Sequence, residues 1–111
     1  MEKTRRATSW CLLLLLISGC FRQEILTAEI DIPQLRATEC RQRILDALDK
    51  LGPDAIIQAD LDRERRTARI LYDSRKVALK NIEYAITDAG FDANDEKARP
   101  EARAALPPAC R

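Results

Sequence analysis

The apolar residues of this chain switch between a period of two and a period near 3.6, and the order of the switches leaves few folds open. From Ile25 to Ile32 they alternate: Leu26, Ala28, Ile30 and Ile32 share one face, while Thr27, Glu29 and Asp31 share the other. Period two with one apolar face is the pattern of a half-buried strand, and Pro33 ends it. From Thr38 to Leu51 the period lengthens. Ile44, Leu48 and Leu51 form a stripe with Leu45 and Ala47 at its margins, the pattern of an amphipathic helix. Thr38 is its expected N-cap and Gly52-Pro53 its stop. Alternation returns in Ala55–Asp62, with Ile57, Ala59 and Leu61 expected inward against Gln58, Asp60 and Asp62. A charged link, Arg63 to Arg66, leads to Thr67–Tyr72, where Ala68, Ile70 and Tyr72 share a face. The pair reads as a hairpin whose turn lacks the usual glycine. Val77–Ala89 is helical in spacing through Leu79, Ile82 and Ile86, with Gly90 placed to cap it. Phe91-Asp92-Ala93 is expected to open a last strand. The order β-α-β-β-α-β predicts an α+β fold, with two helices on one face of a four-stranded antiparallel sheet.

Before this region lies a leader. Lys3, Arg5 and Arg6 form a basic head, and a run without charge follows from Trp10 to Ile17, including five consecutive leucines. A spanning helix needs about 20 apolar residues, so this shorter run reads as a secretory signal, residues 1–19. The string Leu16-Ile17-Ser18-Gly19-Cys20 resembles the lipobox of bacterial lipoproteins. That resemblance implies cleavage before Cys20 and a diacylglycerol on its thiol. Several acyl chains hold a protein stably on a bilayer where one does not. Phe21, where an aspartate would imply inner-membrane retention, points to the outer membrane, with the domain facing the periplasm. The alternative is an ordinary signal peptide with an incidental cysteine. Residues 20–24 are then a linker, 25–95 the domain and 96–111 a tail rich in alanine and proline. Pro100 to Leu106 suits a short helix there, ended by Pro107-Pro108.

Composition removes several functions. The chain has 19 basic and 18 acidic residues, so no basic excess argues for nucleic acid. It has no histidine, and Met1 is its only methionine. Imidazole catalysis, imidazole-held zinc and thioether-held copper are therefore excluded. No nucleophile–base pair or glycine-rich phosphate loop is present, which argues against an enzyme. Asp60 with Asp62, and Asp92 with Asp95, are acidic pairs without the loop spacing a hard cation needs, and read as solvated. Of four cysteines, Cys11 falls in the leader and Cys20 at the lipobox, which leaves Cys40 and Cys110.

The stretch Val77-Ala-Leu-Lys-Asn-Ile-Glu-Tyr-Ala-Ile-Thr-Asp-Ala-Gly-Phe-Asp-Ala93 resembles the last helix and strand of the heavy-metal-associated domain family. Thr67–Asp73 is similar to its third strand, and Cys40–Leu48 to the opening of its first helix. The resemblance implies a ferredoxin-like sandwich with sheet order 4-1-3-2, and a site for Cu(I) or Hg(II) on the loop before the first helix. The family holds its ion with Cys-x-x-Cys, usually preceded by methionine. Here the second cysteine is Cys40, the first position is Ala37, and the methionine position is Leu35. A soft ion prefers thiolate ligands. A single thiol at a helix start gains thiolate character from the dipole, but tight binding needs a second sulfur.

Three sources of that sulfur stay open: Cys110, Cys40 of a second copy in a metal-sharing homodimer, or a cysteine on a metal-donating or metal-accepting partner. In the family topology the last strand ends at the far side of the sheet, so Cys110 would have to return across a strand length of about 17 Å. The competing reading is a Cys40–Cys110 disulfide that staples a non-metal interaction module, as an oxidising compartment allows.

Overall fold

The computed structural model describes residues 24–111. The leader, the cut site and Cys20 lie outside the described residues. Strand β1 (Ile25–Asp31), helix α1 (Thr38–Asp49), strands β2 (Ile56–Asp62) and β3 (Thr67–Asp73), and helix α2 (Leu79–Asp88) follow in the order the periodicity predicts. The strands form an antiparallel sheet of order β1-β3-β2. Leu26, Ala28 and Ile30 stand opposite Tyr72, Ile70 and Ala68, so the inward set of β1 meets the inward set of β3. Helix α1 buries Cys40, Ile44, Ala47 and Leu48, one stripe at helical spacing. Helix α2 buries Ile82 and Ile86 on the same layer, while Leu79, in line with them, stays exposed at its first turn. Among the described residues no helix is long and apolar enough to cross a membrane.

Two local expectations change, and the glycine-free turn finds its own hydrogen bonds. Ala37, not Thr38, is the N-cap of α1, and no side chain caps it. Thr38 is the first helical residue, and its hydroxyl oxygen accepts from Arg63 Nη1 at 3.0 Å. In β2 the alternation slips by one residue. Ile56 pairs with Tyr72 and Gln58 with Leu71, so Ile57 is the extra residue of a bulge and is half exposed. The β2–β3 turn manages without glycine because Asp62 Oδ1 accepts the N–H groups of Glu64 at 3.0 Å and Arg65 at 3.2 Å. Arg66 itself takes the left-handed conformation, φ 55°.

The largest departure is at the fourth strand, which does not form among the described residues. Phe91 and Ala93 are fully buried, so the chain leaves α2 toward the core as expected. Asn94 then adopts φ 53°, and the chain doubles back through a single bridge between Ala93 and Glu96. One residue does the work of a strand. Asn94 N–H donates to the Asp31 carbonyl at 2.9 Å, and its side-chain Oδ1 accepts the Asp31 N–H at 2.9 Å. Its Nδ2 donates to the buried carboxylate of Glu83 at 3.1 Å. Lys80 Nζ lies 3.4 Å from that same carboxylate and 2.9 Å from Glu96. Asparagine tolerates the left-handed region far better than most residues. These side-chain bonds satisfy the backbone that a continuing strand would have satisfied. The expected four-stranded sheet is therefore three-stranded, and the ladder position beside β1 is filled only at Asp31.

Beyond the reversal come a short helix, α3 (Pro100–Ala104), and a 3-10 turn at Pro108–Cys110. Leu106, between them, is buried in the main core.

Candidate thiol site

Cys40 is the third residue of α1, where the β1–α1 loop enters the helix. Cys110 closes the 3-10 turn of the tail. Their sulfurs are bonded at 1.99 Å, with Cα atoms 5.6 Å apart and a sequence separation of 70. Both residues are fully buried, and the Ala109 carbonyl oxygen lies 3.8 Å from Cys40 Sγ. The tail has only a short way to go. Because the chain reverses at Asn94, the tail starts at the α1 end of the sheet and never has to return from the far side.

A set of polar contacts positions that tail. Gln34 and Asp92 pair twice: Gln34 Nε2 donates to Asp92 Oδ2 at 2.8 Å, and Asp92 N–H donates to Gln34 Oε1 at 2.9 Å. Asp92 Oδ1 accepts the Ala98 N–H at 2.8 Å. Burial pushes the Asp92 carboxyl up. The Ala98 N–H, the Gln34 amide and the charges of Lys97 and Arg103 outweigh that and hold it below the usual carboxylate range. Arg99 N–H donates to the Thr87 carbonyl at 3.0 Å. Gly90 lets α3 come close: at φ 105°, a Cβ there would sit 2.8 Å from the Ala102 carbonyl oxygen and 2.9 Å from Leu106 Cδ1. Finally, Arg111 Nε donates to the Leu106 carbonyl at 2.9 Å, which pins the residue after Cys110.

The structure thus brings Cys40 and Cys110 together and leaves the other proposed ligand routes without geometry. Cys40 shared with a second copy or offered to a partner requires a reduced thiol; in this structure its sulfur lies under the tail, bonded to Cys110. Leu35, at the family's methionine position, is fully buried in the core, and Ala37 is partly buried against it. The acidic pairs are divided among other contacts, Asp60 accepting from Gln58 Nε2 at 3.1 Å. Asp62 caps the hairpin turn, Asp92 holds the tail, and Asp60 and Asp95 are exposed. Among the described residues no group of three or more His, Cys, Asp or Glu side chains is placed to hold a metal ion. The residues missed from the sequence are Gln34 and Asn94, which carried no signal; Gly90 is legible as the cap after α2, but its close approach to α3 is not.

No family model matches the chain. A copper chaperone, CopZ of Staphylococcus haemolyticus, is 29% identical over 63 residues, which is 57% of this chain and 90% of that protein. A solved CopZ metallochaperone superposes with a TM-score of 0.56 at 25% identity, over 61% of this chain and 98% of the other. Oxidised MerP from Ralstonia metallidurans superposes with a TM-score of 0.58 at 21% identity, over 64% and 96%. In sequence and in fold the domain is similar to heavy-metal-associated domains, with a shortened sheet and an added tail.

Proposed function

We propose that this chain is a lipid-anchored envelope module that binds or passes on a soft metal ion, Cu(I) or Hg(II) in type, through the thiolates of Cys40 and Cys110. The disulfide is its closed state. One observation carries the reading: the tail delivers a second sulfur to Cys40 at the loop–helix junction, the place where Ala37 fails to supply one. Opening the site takes two electrons and two protons from a dithiol reductant and leaves two thiols. An ion about 2.3 Å from each of two opposed sulfurs holds those sulfurs about 4.6 Å apart, so the tail has to give way by a few ångströms. Both sulfurs sit among apolar side chains, which disfavour a free thiolate but suit sulfur bound to a soft ion over oxygen-loving cations. A copper chaperone and a mercury-handling protein share this fold, and a metal-donating or metal-accepting partner follows from that kinship. Lipid on Cys20 would hold the module on the outer membrane, facing the periplasm.

The full burial of both sulfurs favours a second reading: a stapled interaction module indifferent to metal. Titration decides between them. The protein from Phe21 onward, reduced without oxygen, is titrated with Cu(I) and with Hg(II) against a competing chelator, beside Cys40→Ser and Cys110→Ser. Tight one-to-one binding lost in both variants supports the metal site. No retention against the competitor, with an intact disulfide mass before reduction, leaves the stapled module.

A further inference from the structure

We propose that the open edge of β1, Ile25–Glu29, pairs antiparallel with the same stretch of a second copy, in a register centred on Thr27. This pairing does not depend on metal at Cys40.

The edge exists because the fourth strand is missing. Glu24 and Ile32, at the two ends of β1, bond toward β3, through Ser74 N–H to the Glu24 carbonyl and Ile32 N–H to the Arg66 carbonyl. Asp31 bonds the other way, to Asn94. Alternation along a strand then sends the N–H and C=O of Ile25, Thr27 and Glu29 outward. Among the described residues, β3 is the only strand paired with β1. A strand edge of this kind is a template for another strand, and proteins usually blunt it with proline, lysine or a bulge. Ile25–Glu29 has none of these, and exposed Glu29 is its one charged side chain.

The side chains fit a second copy. Ile25 and Leu26 are 45% and 48% exposed, and Leu26 lies in line with buried Ala28 and Ile30, on the helix side of the sheet. In the Thr27-centred register Thr27 faces Thr27, Ile25 faces Glu29, and Leu26 faces Ala28. The two Leu26 side chains then meet on the diagonal, within about 7–8 Å. No like charges stand opposite. A Glu29-centred register would oppose two carboxylates. An Ala28-centred one would call on Asp31, whose N–H and C=O are already taken by Asn94. The open stretch and the self-complementary stretch are therefore the same residues. The contact is small, so the dimer is a weak one.

Cysteine pairs read the register. The full chain carrying Cys11→Ser and Cys20→Ser is oxidised mildly in detergent, in parallel with the chain from Phe21, which retains every described element. In the proposed dimer Thr27 faces its own copy with Cα atoms about 5.5 Å apart, inside the disulfide range of about 4.4–6.8 Å. Thr27→Cys should therefore cross-link. Ile25→Cys alone should not, since two such residues lie about 13 Å apart along the strands, but mixed with Glu29→Cys it should. Thr27→Pro removes an outward N–H that β3 does not use, and should abolish the dimer in sedimentation. If that variant misfolds by circular dichroism, the cross-links alone decide. Cross-linking of Ile25→Cys with itself, or none at Thr27→Cys, overturns the proposal. So does dimerisation of the shorter chain only, which would show the leader to occupy the edge.

Discussion

Breaking the Cys40–Cys110 bond should remove a large share of the stability of this domain. The bond joins the first turn of α1 to the end of the tail across 70 residues of chain, so it encloses nearly every described element. Chain-entropy arguments place the stabilisation by a loop of that length near 4 kcal/mol, with native bridges usually contributing about 2–4 kcal/mol. Domains of this size hold only about 5–15 kcal/mol in all. A loss of 4 kcal/mol corresponds to a fall in Tm of roughly 15–30 °C. The magnitude rests on loop length alone. The buried tail adds to it if it leaves the core on reduction, since Leu106 and Cys110 are both in the main cluster. The assay is urea unfolding of the oxidised protein, of the protein under a dithiol reductant, and of Cys110→Ser. Reduction and substitution should agree. A difference below about 1 kcal/mol in both would refute the reasoning, because it would mean that the reduced tail stays docked by its other contacts and the bond constrains little.

Other expectations follow from the contacts that bring the tail home. Gly90→Ala meets both an unfavourable φ and the backbone of Ala102, so it should cost about 1–3 kcal/mol and expose Cys40 to alkylation after reduction. A melt unchanged by this substitution would place α3 elsewhere. Asp92 titrates below its unfolded value near 3.9, so its contribution is complete above about pH 4 and is lost as pH falls through the folded value. Asp92→Asn should be destabilised at neutral pH, and its gap from wild type should close in acid; a gap constant with pH would show that charge is not what Asp92 supplies. Asn94→Ala gives up the side-chain bonds from the Asp31 N–H and to Glu83 together with the left-handed preference, and should lose about 2 kcal/mol. Hydrogen exchange at Asp31 N–H should rise sharply in that variant and stay protected in the wild type. Ala37→Cys should raise Cu(I) affinity of the reduced protein if the loop keeps its family geometry. No gain in chelator competition would mean that the N-cap of α1 points its side chain away from Cys40.

Most of the layer structure was legible from residue spacing. Alternation in Ile25–Ile32 and Thr67–Tyr72, and helical spacing in Ile44, Leu48, Ile82 and Ile86, each name a face, and a face names what it packs against. A hydrophobic period is written locally, so β1, α1, β3 and α2 could be read one at a time. The bulge at Ile57 could not, because a single extra residue is defined by its partner strand. The fourth strand failed for a related reason. Phe91 and Ala93 have the alternation of a strand, but Asn94 can bond Asp31 and Glu83 only when β1 and α2 are already side by side. Those bonds tie the reversal to β1 and α2 where further ladder would otherwise run. The pairing of Cys40 with Cys110 depends on the same decision. Sequence alone determined that Cys40 and Cys110 are the two cysteines beyond Cys20 and that Ala37 stands at the position matching the first cysteine of heavy-metal-associated domains. Which sulfur faces Cys40 was decided by the path of the chain after Ala93, since proximity between residues 70 apart is a property of the folded contacts and not of any local pattern.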